Sequence, residues 1–154
     1  MAVVEMARDA FPGLRFRVTG LTDDLRALVD GNYLGHLVRT ILYRTAGTWT
    51  ARRQALTLEM EAAANRRSVT FRVCDASPTV PARERAAVFG WEPGKAAGPD
   101  RRQLQLYGAR ALARRAGGNL WLARPDGATR AGVGNVWALR LPAVPAELVR
   151  AFDR

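Results

Sequence analysis

Between residues 34 and 45 the chain places Leu34, Leu37, Val38, Ile41, Leu42 and Thr45 at spacings of three and four. At 3.6 residues per turn those positions share one face, so the segment predicts an amphipathic helix. Asp30 stands where a side-chain oxygen can cap its first turn. Such a helix gains most of its stability by burying its apolar stripe against another layer. The sequence supplies that layer as alternating strands. Leu56, Leu58 and Met60 alternate with Thr57, Glu59 and Glu61. Asn65-Arg66-Arg67 reads as a turn, and Val69, Phe71 and Val73 return with Thr70, Arg72 and Cys74 on the opposite face.

The remaining elements follow the same logic. Residues 2–10 read as the end of a helix closed by Phe11-Pro12-Gly13. Leu14, Phe16 and Val18 alternate with Arg15, Arg17 and Thr19 as a strand, and 21–28 reads as a loop that can hold a short strand. Pro81 opens a short helix reaching Phe89. The segment 90–102, with Pro93, Gly94, Gly98 and Pro99, reads as a loop. A helix from about Gln103 to Ala116 packs through Leu104, Leu106, Ala109, Leu112 and Ala113 and stops at Gly117-Gly118. Leu120 to Ala123 and Val136 to Leu141 form a last strand pair around Pro125-Asp126-Gly127. This order predicts an α/β two-layer sandwich, a mixed sheet with helices on one face. Leu37, Ile41, Phe71, Val73, Leu104 and Leu112 are the expected core. The expected divisions are an N-terminal helix or linker over 1–13, one domain over 14–142 and a tail with a short helix over 143–154.

Composition narrows the class. A chain of 154 residues that is 48% hydrophobic and 25% charged is ordinary globular material. No apolar run is long enough to span a membrane, and 1–9 lacks a secretory apolar core, so a cytoplasmic location is expected. One cysteine, Cys74, excludes an intrachain disulfide and a cysteine-rich zinc site. The net charge is +10, carried almost wholly by arginine, with Lys95 the only lysine. Such a surface suits an acidic partner.

A series of short motifs keeps a recognisable spacing. Leu34-Gly35-His36-Leu37-Val38-Arg39-Thr40-Ile41-Leu42-Tyr43-Arg44-Thr45 stands where L-x-x-V-L-x-N-L-L-x-N-A would stand. Val73-Cys74-Asp75-Ala76-Ser77-Pro78-Thr79-Val80-Pro81 parallels V-x-D-N-G-P-G-I-P, and Gln103-Leu104-Gln105-Leu106 parallels G-L-G-L. Gly117-Gly118 and Gly132-Val133-Gly134-Asn135 follow at matching distances. In this frame, from about Phe16 to Pro142, the chain resembles the ATP-binding domain of sensor histidine kinases, within the GHKL ATPases. The resemblance implies the same two-layer fold, ATP as ligand, a transferase activity and partners in two-component signalling.

The residues that the resemblance places at the ligand are altered. The magnesium-binding asparagine is replaced by Arg44, and the other asparagine of that motif by Thr40. Magnesium takes oxygen ligands, and a guanidinium has no acceptor, so no magnesium is expected. Asp75 remains at the position that accepts from the adenine amine. Ser77 and Thr79 replace the glycines that let backbone approach the base. Gln103 and Gln105 replace glycines whose amides would receive phosphate at a helix start. Asn135 replaces a threonine that supports the adenine contact. Phe89 and Trp91 echo the aromatic box before the family's ATP lid, and the lid segment carries Lys95, Arg101 and Arg102.

The leading expectation is a degenerate histidine-kinase-type ATPase domain with poor or absent ATP binding. It would be the C-terminal part of a signalling protein, contacting a kinase core or a response-regulator receiver domain. A second reading is an active ATP-binding domain with a variant pocket, in which Arg44 replaces the metal charge. A third is a basic nucleic-acid-binding domain, although no helix-turn-helix or aromatic-interleaved basic strand is evident. His36, the only histidine, is followed by Leu37 rather than an acid and is not read as a phosphoacceptor. Cys74 reads as a small strand residue.

Overall fold

The computed structural model describes residues 5, 9, 15–19, 27–47, 57–64, 67–75, 78–90, 101–124 and 134–145. Five strands form one sheet: β1 (Arg15–Thr19), β2 (Thr57–Ala64), β3 (Ser68–Asp75), β4 (Asn119–Ala123) and β5 (Asn135–Pro142). Two α-helices join them, α1 (Gly31–Gly47) between β1 and β2 and α2 (Arg101–Arg115) between β3 and β4. The strand order is β1-β2-β3-β5-β4. Only β1 and β2 run parallel, and every other neighbouring pair is antiparallel. The parallel pair requires a crossover connection, which carries α1.

Strand alternation explains which face the helices cover. Phe71 pairs with Leu139, Val73 with Trp137, Leu120 with Leu139 and Leu122 with Trp137. All six, with Leu141, join Leu37, Val38, Ile41 and Leu42 of α1 and Leu106, Ala109 and Ala113 of α2 in one apolar core. The expected sandwich, with a mixed sheet and helices on one side, is therefore the observed one. The topology carries an unusual consequence. The β1-to-β2 and β3-to-β4 crossovers step the same way across the sheet, but their strands run in opposite directions. With both helices on one face, the two crossovers have opposite hands, so one departs from the usual right-handed rule.

The local signals act as expected. Asp30 Oδ1 accepts the backbone N–H of Asn32 at 2.8 Å and of Tyr33 at 3.4 Å, capping α1. Thr45, polar yet fully buried, directs its hydroxyl to the carbonyls of Ile41 and Leu42 and so leaves no donor unpaired. Helix α2 ends in a Schellman motif. Gly118 N–H donates to Ala113 O at 2.9 Å and Gly117 N–H to Arg114 O at 3.0 Å, with Gly117 at φ 76°.

Several expectations need correction. Leu104 is 44% exposed and is not a core residue, and Leu112 is only half-buried at the core margin. The buried face of α2 runs through Leu106, Ala109 and Ala113, and Leu104 lies about 200° around the helix from Leu106. The short helix after Pro81 is two 3-10 turns, Ala82–Glu84 and Ala87–Phe89. Helix α2 begins at Arg101, two residues earlier than expected, and α1 extends to Gly47. Strand β2 continues to Ala64. The loop 21–28 ends in a bridge, Ala27 with Ala143. Glu5 and Asp9 are helical, in keeping with the helix expected over 2–10. The turn at Asn65-Arg66, the loop 91–100 with Trp91 and Lys95, Pro125-Asp126-Gly127 and the tail beyond 145 lie outside the described residues.

Candidate functional site

The motif positions are distributed over the end of β3, the start of β5 and the two helices. Asp75 is the last residue of β3 and pairs in register with Asn135, the first residue of β5. Asn135 belongs to the alternate set that includes Trp137 and so closes one end of the helix-covered face.

Asn135 is buried, and its amide is engaged at both ends. Its Oδ1 accepts the Val80 N–H at 2.9 Å, and its Nδ2 donates to the Pro78 carbonyl at 3.1 Å. The other backbone group of Val80 is held as well, because Arg85 Nε donates to Val80 O at 3.3 Å. Val80 itself packs against the core. Residues 78–80, the second half of the Asp75 motif, are thus tied to the sheet by side chains distant in sequence. Thr79 lies exposed within this segment, while Ser77 and the side chain of Asp75 are outside the described residues.

The helix positions are also committed. Thr40 is half-buried, and its hydroxyl donates to His36 O at 2.9 Å, one turn back along α1. Arg44 is half-buried in the last turn of α1, where its charge faces the negative end of the helix dipole. Gln103 and Gln105 are exposed in the first turns of α2. Arg101, expected in the lid, is instead the exposed first residue of that helix. Helices α1 and α2 touch each other, so Thr40, Arg44, Gln103 and Gln105 lie in one helical layer.

Sequence reasoning missed a stack beside this site. Phe89 ends the second 3-10 turn and is buried. Its ring meets Trp137 edge-on, with centroids 6.0 Å apart and planes at 75°. The Arg110 guanidinium of α2 sits 5.1 Å from the Phe89 centroid. Burial, and secondarily the neighbouring Arg114, hold the Arg110 pKa below the ordinary arginine value. The stack joins sheet, turn and helix, and so fixes the point from which the 91–100 segment departs. The spacing of Phe89, Arg110 and Trp137 follows no local period, so no sequence pattern could reveal it.

This geometry can be set beside known structures. The chain is similar over 94% of its length to the mycobacterial sensor histidine kinase MprB, covering 93% of that chain at 20% identity with a TM-score of 0.69. It is similar to the nucleotide-free catalytic domain of histidine kinase ThkA over 94% of its length and 93% of that chain, at 15% identity with a TM-score of 0.71. The fold is that of histidine kinase catalytic domains. No protein-family model matches the sequence, and no curated protein matches it. At these identities the histidine kinase likeness is one of architecture, and it bears out the fold that the motif spacing implied. Among the described residues no helix is long and apolar enough to cross a membrane.

The residues at the motif positions fit magnesium poorly. Arg44 offers five donors and no acceptor, and its charge repels a divalent cation. The Asn135 amide is used on the 78–80 backbone. No step through a bound metal follows from this donor set.

Proposed function

We propose that this chain is a degenerate histidine-kinase-type ATPase domain, with weak or absent ATP binding, that works in signalling through protein–protein contacts. Its partner on this reading is a kinase core or a receiver-type regulator in the cytoplasm. The observation that carries the proposal is Arg44. Within a histidine kinase fold, it occupies the helix position that the motif spacing assigns to the magnesium ligand, with the wrong chemistry for that task. Support comes from Thr40 and Asn135, whose side-chain groups hold this chain's own backbone. Gln103 and Gln105 add side chains where glycines would admit phosphate.

Calorimetry of the intact chain with ATP, with and without magnesium, tests the proposal. No magnesium-dependent binding below millimolar concentration is expected. A micromolar dissociation constant that collapses on chelation would establish the opposite, an active domain with a variant pocket. One observation favours a metal-free version of that second reading. Arg44 is half-buried, so it could serve as a fixed positive charge toward phosphate.

A further inference from the structure

The charge of this protein is unevenly placed. Helices α1 and α2 contain seven arginines, Arg39, Arg44, Arg101, Arg102, Arg110, Arg114 and Arg115, and no Asp or Glu. The carboxylates of the described strands lie in β2 and β3, at Glu59, Glu61 and Asp75. The helical layer therefore presents positive potential with no carboxylate in either helix to offset it.

Aromatic rings accompany this charge. The chain has three tyrosines, and all three lie on these two helices. Tyr33 is 48%, Tyr43 60% and Tyr107 43% exposed. On α1, Tyr33, His36, Thr40, Tyr43 and Arg44 fall within an arc of about 100°, with Tyr33, His36 and Tyr43 exposed and Thr40 and Arg44 half-buried. Tyr33 and Tyr43 stand about 15 Å apart along the axis. On α2, Arg114 lies two turns from Tyr107 on the same side. Tyr33 and Tyr43 are separated along α1 and share their arc with Arg44.

We propose that the outer face of the α1–α2 layer binds single-stranded nucleic acid. The arginines would neutralise the phosphate backbone, and the tyrosine rings would stack on separate bases. Every base offers a π-face, so such a surface needs no sequence preference. Separate flat rings among positive charges fit spaced bases on a flexible polyanion better than the continuous apolar stripe of a partner helix. The strand pattern that the sequence lacked is thus replaced by a pattern across two helices. The face shares Thr40 and Arg44 with the motif site.

The test uses the full chain and a fluorescein-labelled single-stranded oligonucleotide of about 15 nucleotides, read by anisotropy over a salt series. A duplex of equal length and polyglutamate serve as comparison polyanions. The expected result is tightest binding to the single strand. Tyr43→Leu should weaken it about tenfold with an unchanged salt slope, while Tyr43→Phe retains it. Arg39→Gln should lower the salt slope by about one. Circular dichroism confirms that these surface variants fold. The proposal is overturned if the single strand fails to bind at low salt, or if the duplex binds as tightly. It is equally overturned if polyglutamate competes equally and Tyr43→Leu changes nothing, which would mark the face as a site for an acidic protein.

Discussion

Asn135 holds the backbone of Val80 from 55 residues away, its Oδ1 accepting the Val80 N–H at 2.9 Å. Its Nδ2 donates to Pro78 O at 3.1 Å, so one buried side chain fixes three consecutive residues beside the end of β3. The motif comparison cast Asn135 as a ligand-side residue. The structure gives it the task of shaping the strand-end segment.

That task sets the outcome of changing it. Asn135→Ala leaves the Val80 N–H and the Pro78 carbonyl without their partner and should cost about 1–3 kcal/mol. Asn135→Asp keeps the acceptor for Val80 but faces Pro78 O with a second acceptor, so it should not restore full stability. Urea unfolding of the three proteins checks the order. Equal midpoints for all three would show that the two contacts contribute nothing.

Arg44→Asn probes the proposed loss of metal binding in both directions. It removes a phosphate-binding charge and supplies an amide oxygen suited to magnesium. If Arg44 acts as a metal substitute, metal-free ATP binding should weaken and magnesium should begin to help. If Ser77, Thr79, Gln103 and Gln105 close the pocket, the single change should do nothing. Restoring glycine at those four positions together with Arg44→Asn is then the minimum repair. Titration calorimetry of each variant, with and without magnesium, separates these outcomes.

Leu37 and Leu104 form a matched pair for the core. Leu37 is fully buried and Leu104 is 44% exposed. Leu37→Ala should cost about 2–5 kcal/mol. Leu104→Ala should stay within about 0.5 kcal/mol of the parent. Thermal or urea unfolding reads both, and comparable losses would contradict the assigned helix face.

The two glycines ending α2 should respond for different reasons. Gly117→Ala puts a Cβ on a left-handed residue and should cost about 1–2 kcal/mol. At Gly118, an added Cβ would lie inside the contact shell of the Arg140 carbonyl oxygen on the neighbouring backbone. Gly118→Ala should therefore destabilise more than Gly117→Ala, because β5 must move to admit it. Unfolding midpoints of the two variants give the comparison.

Much of this fold is local in origin and therefore legible along the chain. The Asp30 cap, the stripe from Leu34 to Thr45, the alternation through Val69, Phe71 and Val73 and the stop at Gly117-Gly118 are periodic or capping signals within a few residues. Hydrophobic burial and backbone hydrogen bonding act on exactly such neighbours, so these elements stand where the sequence put them. Motif spacing reached further, because a histidine kinase frame constrains several elements at once. The face of α2 was misread at Leu104, since a helix rich in apolar and small residues offers more than one stripe and only the facing sheet selects among them. Tertiary structure alone decided the rest. The grip of Asn135 on Pro78 and Val80 and the stack of Arg110, Phe89 and Trp137 each join residues that share no local period. They become neighbours only when strands and helices far apart in the chain pack together, and packing is the interaction that a one-dimensional pattern does not encode.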